Sequence, residues 1–256
     1  MHPDRRALTK IASEDDDSSN KRSSDNTSSD EQPLAKTRTR RSNKLEVTAA
    51  NIATEGTVSR PFQRMMEESF NSVILSDMTI FIKSFRFPAH SFVLAAQCGY
   101  FKDALTKGGL KEEAKKEFRF DHGQSHAYWR MLEYLYKGTY SDDPAAEIDE
   151  PDDELPHRHI YVYATAKAFQ IEGLQRLATE RFKQSVERGK IDKKFVSCIR
   201  LVHKIMKIED SMLGKEVMEI VSQNAKVLWK IRAFQNLVYH EKSFAANLVS
   251  KLLEEE

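Results

Sequence analysis

Two periods of hydrophobic positions follow one another along the chain. Met78, Ile80 and Ile82 alternate with Thr79, Phe81 and Lys83, which predicts a strand, buried on both faces because Phe81 is apolar too. Phe85 and Phe87 flank Arg86 as a second short strand that Pro88 should end, since proline offers no ladder N–H. Lys83-Ser84 then forms a tight hairpin turn. The spacing predicts a helix over Ala89–Gln97 with Gly99 at its C-terminal cap, then a short helix carrying Phe101, Ala104 and Leu105 that stops at Gly108-Gly109. Phe118 and Phe120 straddle Arg119 as a third strand, and Tyr128 to Lys137 reads as an aromatic-rich helix closed by Gly138.

Residues 141–156 interrupt this pattern with eight acids, no base and prolines at 144, 151 and 156, and read as a solvated loop inserted between core elements. Helical periods resume after it. Leu174, Leu177, Ala178, Arg181, Phe182, Ser185 and Val186 trace one face, with Gly189 closing it. Ile191, Phe195, Cys198, Ile199, Val202, Ile205 and Met206 trace a second. Leu213, Val217, Ile220 and Val221 trace a third, and Phe244, Ala245, Leu248, Val249 and Leu252 a last. No repeat of fixed period occurs, which argues against a solenoid.

Composition changes the picture at one place. All 24 aromatic residues lie beyond position 60, and residues 1–60 hold only 14 apolar residues beside nine serines and charge runs of both signs. Such a stretch buries too little apolar area to offset roughly 1–2 kcal/mol of backbone entropy per ordered residue. The expectation is a disordered tail over 1–60, with a globular region beyond Phe62 whose apolar share is about 45%. Forty basic against 39 acidic residues exclude a uniformly basic nucleic-acid binder. Two cysteines exclude a disulfide scaffold or four-thiolate zinc site and suit a reducing compartment. The longest strictly apolar runs are five residues, as at Phe92–Ala96, too short for a membrane span or a secretory signal core. The expected location is intracellular, nuclear or cytoplasmic.

The order of motifs then becomes specific. Ser76-Asp77-Met78-Thr79-Ile80, Phe87-Pro88-Ala89-His90, Phe92-Val93-Leu94-Ala95-Ala96 and Tyr100-Phe101 together resemble the opening of a BTB/POZ domain. Phe118-Arg119-Phe120-Asp121 and Met131 to Tyr140 resemble its third strand and the following helix, and Tyr163 to Leu174 its late helices. The resemblance covers roughly residues 62–187 and is to short fungal BTB proteins that carry no kelch, MATH or zinc-finger partner. It implies an α+β fold: a small mixed sheet flanked by a cluster of helices over 61–188, with the acidic insertion 141–156 inside it. A helical extension over 189–256 follows, and the disordered tail precedes.

What the resemblance implies about function is interaction rather than chemistry: self-association, as a homodimer or higher, and an adaptor that recruits a substrate protein to a cullin-RING ubiquitin ligase. By resemblance, Phe62, Met65, Met66 and Phe70 lie on a helix that packs in the homodimer, and Leu110-Lys111-Glu112 is similar to an apolar-x-Glu cullin contact formed by Leu110 and Glu112. In BTB repressors a charged groove uses the aspartate at Asp77 with a basic residue after the histidine; here that residue is Ser91. Asp77 and His90 are read instead as satisfied polar groups that fix the fold. The helices beyond Ile191 either support a cullin or recruit substrate.

Catalytic and cofactor motifs are missing: no G-x-x-x-x-G-K or G-x-G-x-x-G phosphate loop, no G-x-S-x-G elbow and no H-E-x-x-H helix. His157 and His159, two apart on a helix, face different sides and cannot share an ion. The acidic loop lacks the turn glycine and ligand spacing of an EF-hand. No enzyme, cofactor, metal or membrane partner is therefore expected. The competing reading is a nuclear transcription or chromatin regulator. It would oligomerise through the BTB domain and use Lys36, Arg38, Arg40, Arg41 and Lys44 for import or nucleic-acid contact. Ser13, before Glu14-Asp15-Asp16, has the context of an acid-directed phosphorylation site.

Overall fold

The structure, a computed structural model, describes residues 55–106, 116–206, 208 and 210–254, with side chains from Pro61 onward. Its elements run α1 (Glu55–Glu68), β1 (Met78–Ile82), β2 (Phe85–Ala89), α2 (Ser91–Gln97), α3 (Gly99–Thr106), β3 (Glu117–Phe120), α4 (Ser125–Lys137), α5 (His157–Ala168), α6 (Glu172–Glu187), α7 (Lys193–Ile205), α8 (Met212–Gln223), α9 (Ala225–Leu228), α10 (Arg232–His240) and α11 (Lys242–Glu254). The boundary expected at residue 60 falls inside α1, which starts at Glu55.

The sheet is mixed and ordered β2-β1-β3. β1 pairs antiparallel with β2 through the two-residue turn Lys83-Ser84, Ile82 opposite Phe85, and parallel with β3, Ile80 opposite Phe118. Met78, Ile80 and Ile82 are buried, whereas Thr79 and Phe81 are only half-buried. The second face of β1 is thus not core as expected: Phe81 sits under the Arg119 guanidinium, 4.0 Å from ring centroid to carbon. Pro88 does not end β2, which runs on to Ala89. β2 is an edge strand, so a proline N that cannot donate costs no ladder bond.

The first helix after the sheet begins at Ser91, two residues later than its apolar spacing suggested, because Ala89 still belongs to β2. Gly99 is not its cap. Cys98 ends α2 and Gly99 opens α3. Gly138, in contrast, closes α4 in the left-handed conformation (φ 71°), its N–H donated to the Tyr134 carbonyl. α7 and α8 start where side chains cap them: Asp192 accepts from the N–H groups of Lys194 and Phe195, and Ser211 from that of Gly214.

A single apolar cluster joins the sheet to both sets of helices. It runs from Ile80, Phe87 and Leu94 through Met131, Ile160 and Phe182 to Ile199, Val217, Phe234 and Phe244. The Tyr163 hydroxyl of α5 accepts the Met212 N–H at the start of α8 (3.0 Å), stitching the last helices to the earlier ones. α9 and α10, around buried Leu228, Phe234 and Leu237, have no counterpart among the expected helices. Their apolar positions are few and the segments are only four and nine residues long, too short for a period to stand out.

The acidic segment is a loop with nine of its 16 residues exposed, as expected, but it is also pinned to the domain as a strap. Arg130 of α4, 1% exposed, donates to both carboxylate oxygens of Asp152 (3.0 and 2.5 Å) and to the Ser141 and Asp143 carbonyls. Arg158 adds a second contact to Asp152 at 2.9 Å. Glu150 pairs with Lys83 and accepts from the Ser125 hydroxyl (2.8 Å), and the His126 ring bonds the Glu150 carbonyl (2.9 Å). Ala145 and Ile148 are buried. Counting acids missed this because the matching cations lie on other elements: Lys83 in the hairpin turn, Arg130 on α4 and Arg158 on α5.

Candidate interaction surfaces

α1 packs one side inward and leaves another bare. Met66 is buried, and Phe70 just beyond the helix meets the rings of Phe87, Trp129 and Tyr136 at 5.1–5.8 Å. Lys137 also lies 4.4 Å over the Phe70 ring. Met66 and Phe70 therefore face this chain's own core. Phe62 and Met65, each 54% exposed, are the two of the four candidate dimer residues left at the surface.

The segment joining α1 to β1 also exposes three aliphatic residues. Val73, Ile74 and Leu75 are all largely exposed. Leu75 also has a left-handed backbone (φ 61°), a conformation that costs a leucine roughly 1–3 kcal/mol and turns its side chain away from the core. His90 holds this segment from below. One ring nitrogen bonds the Ile74 carbonyl (2.8 Å) and the other the Tyr136 hydroxyl (2.9 Å), which also accepts the His90 N–H. Two residues on, Phe92 is 72% exposed at the first turn of α2. Neither Val73–Leu75 nor Phe92 was singled out from the sequence. A signal existed for Phe92, because a five-residue apolar run cannot turn every side chain of a helix inward.

Asp77 anchors the same corner. Its carboxylate accepts the Ser91 N–H (2.8 Å) and hydroxyl (2.6 Å) and pairs with Lys116 at 3.1 Å. It thus caps α2 from a neighbouring segment, a task the local N-cap His90 does not perform with its side chain. Burial pushes the Asp77 carboxyl up, but the Ser91 hydrogen bonds and Lys116 outweigh it and hold it below the usual carboxylate range. Asp77→Ala is expected to cost about 1 kcal/mol, as lost helix caps do. Asp77→Asn should cost less, since an amide oxygen can still accept the Ser91 N–H. Urea unfolding of the two variants checks the ranking.

The remaining candidates divide between the core and segments outside the structure. Leu110 and Glu112 lie outside the described residues, as do Lys36, Arg38, Arg40, Arg41, Lys44 and Ser13. His159 is buried against the Tyr140 hydroxyl (2.8 Å). Burial drives its pKa down to about 4, so its ring is neutral near pH 7. His157 instead contacts Ser197 and lies 3.6 Å from the Cys198 sulfur. Burial pushes that thiol up to about 12, which makes it core rather than nucleophile. Among the described residues, no group of three or more His, Cys, Asp or Glu side chains could hold a metal ion. No described helix is long and apolar enough to cross a membrane.

A three-stranded mixed sheet under a helical cluster carries exposed apolar side chains on α1, on α2 and between α1 and β1. Residues 66–186 match the BTB/POZ domain family, and the chain carries a BTB/POZ domain there, a protein–protein interaction module. The chain is similar to BTB/POZ domain-containing protein 9 of Bos taurus and of Homo sapiens, 38% identical to each over 70 residues. The Mus musculus protein of that name is 36% identical over the same length. Those 70 residues are 26% of this chain and 11% of each relative. The chain therefore spans a small part of the curated relatives it matches.

Proposed function

We propose that the protein is a self-associating adaptor. The observation that carries this reading is the exposed apolar surface formed by Phe62 and Met65 of α1, Val73–Leu75, and Phe92 of α2. Six of the 14 large apolar side chains exposed among the described residues fall within residues 62–92, and a second copy covering them removes that area from water. A stable dimer needs more than about 1,000 Å² buried in total. Met66 and Phe70 tie the start of the domain to the core and His90 holds Ile74, while Met65 adapts to the facing surface.

The adaptor part of the reading rests on the BTB/POZ domain together with the Leu110-Lys111-Glu112 motif. An apolar plug beside a carboxylate suits a cullin scaffold, and the helical extension suits either a supporting role or substrate capture. Affinity capture of the full chain from cells is expected to bring a cullin with it, and Leu110→Ala with Glu112→Arg should remove that cullin while leaving self-association intact. Capture without any cullin, or a cullin unaffected by the double substitution, contradicts this part. Retention on DNA that falls with salt and disappears on deleting residues 36–44 would support the nuclear-regulator reading instead.

A further inference from the structure

We propose that the acidic block Glu14–Asp17 of this chain docks on a basic, aromatic face of its own helical extension, formed by α7, α9 and α10. α7 contains no acidic residue, and neither does the stretch from Ile220 to His240 that includes α9 and α10. Arg200 and Lys204 of α7 point outward, as do Lys226, Lys230 and Arg232 on the neighbouring segment. Among the described residues no ion pair involves any of these five. The nearby acids are already engaged: Glu241 with His203 (3.2 Å), Glu154 with Lys194 (2.9 Å), and Asp192 in the α7 cap.

Arg200 ties the two parts of this face together by donating to the Ala233 carbonyl of α10 (3.0 Å). Gln235 donates to the Trp229 carbonyl (2.7 Å) and fixes the turn between α9 and α10. Beside these cations stand two exposed rings in contact, Trp229 (45% exposed) and Tyr239 (68% exposed), with centroids 6.0 Å apart. Helical spacing sets Arg232, Asn236, Tyr239 and His240 on one outward side of α10. Unneutralised cations around an apolar ring pair call for an occupant that brings both clustered negative charge and an apolar contact.

Ile11-Ala12-Ser13-Glu14-Asp15-Asp16-Asp17 has both. The intervening residues 18–54 can span roughly 120 Å when extended, well beyond the roughly 40 Å width of a domain this size. Tethering also holds the block at an effective concentration of about a millimolar, so a contact too weak to retain a free peptide is still occupied within the chain. Phosphate on Ser13 would add roughly 1.5–2 negative charges next to the block and tighten it.

The test uses the full chain and acrylamide quenching of Trp229, one of two tryptophans; the other, Trp129, is buried. A Trp229→Phe variant supplies the Trp129 background. Reversing the block (E14K, D15K, D16K, D17K) is expected to raise Trp229 quenching about twofold, as for a site occupied half the time or more in the tethered state. High salt should do the same to the wild-type chain. K226E, K230E and R232E together should also expose Trp229, and combining both reversals should restore its shielding, a rescue that general destabilisation would not give. Equal quenching in the wild-type and tail-reversed chains overturns the proposal, as does failure of the rescue. Shielding that grows with protein concentration assigns the face to a second copy, and shielding that appears only with added single-stranded oligonucleotide assigns it to nucleic acid; either overturns docking within the chain. Self-association through the α1–α2 face stands or falls separately, because none of the substituted residues lies on it.

Discussion

Asp152→Ala is expected to destabilise the fold by about 3–5 kcal/mol, the range found when one partner of a buried charge pair is removed. The reason is what it leaves behind. Arg130 and Arg158 both reach Asp152, with side chains only 2% and 12% exposed. Without the carboxylate, two like charges remain close together and shielded from water. For a folded region of about 200 residues, such a loss lowers the melting temperature by roughly 10 °C. Arg130→Met combined with Asp152→Leu should cost clearly less, because the most buried cation goes with its partner and only Arg158 loses a contact. If Asp152→Ala unfolded within about 0.5 kcal/mol of wild type in urea, the segment 141–156 would not be a pinned strap. The sign with pH follows from the same contacts. Burial raises the Asp152 carboxyl, but Arg130, with Arg158 behind it, outweighs burial and holds its pKa below the usual value. A carboxyl depressed in the folded state contributes stability above its unfolded pKa of about 3.9, and that contribution is lost as pH falls through the folded value. Acid unfolding below about pH 4 should therefore be blunted in the Arg130→Met/Asp152→Leu variant.

Phe62→Asp with Phe92→Asp is expected to weaken self-association by about 30-fold to 1,000-fold, equivalent to roughly 2–4 kcal/mol, because each aspartate places an unpaired charge in an apolar contact. Both phenylalanines are more than half exposed in the single chain, so the variant protomer should keep its stability to within about 0.5 kcal/mol. That pairing of results, association lost and fold kept, separates an interface from a core. Met66→Asp is the contrasting substitution. At 7% exposure it faces the protomer core, and its replacement should lower thermal stability as well as association. Sedimentation equilibrium and thermal unfolding of the same samples read both quantities.

Much of this fold is written in local patterns. The alternation at Met78–Ile82, the glycine at 138 and the long apolar faces of α6 and α7 each follow from a single element and its period. What escaped depends on distant partners. Pro88 reads as a strand end until β2 is known to lie at a sheet edge. The pinning of Glu150 and Asp152 does not show in 141–156 itself, because Lys83, Arg130 and Arg158 are brought to them by the packing of three other elements. The short α9 and α10 carry too few apolar positions for any period to register. For the proposed interaction face, α1 is an expectation of the resemblance, and the division of its side chains is what the structure adds. Met66 and Phe70 turn inward because Phe87, Trp129 and Tyr136 wait there. Phe62 and Met65 lie one helical side away, and the exposure of Val73–Leu75 depends on a left-handed Leu75 and a buried His90 that no pattern in that segment displays.

Sedimentation velocity of the full wild-type chain at micromolar concentration addresses the central reading most directly. Self-association through the α1–α2 face predicts a species of twice the 29.5 kDa protomer mass, converted to protomer by Phe62→Asp with Phe92→Asp. A wild-type chain that sediments at the protomer mass throughout the micromolar range, or a dimer indifferent to both substitutions, would contradict it.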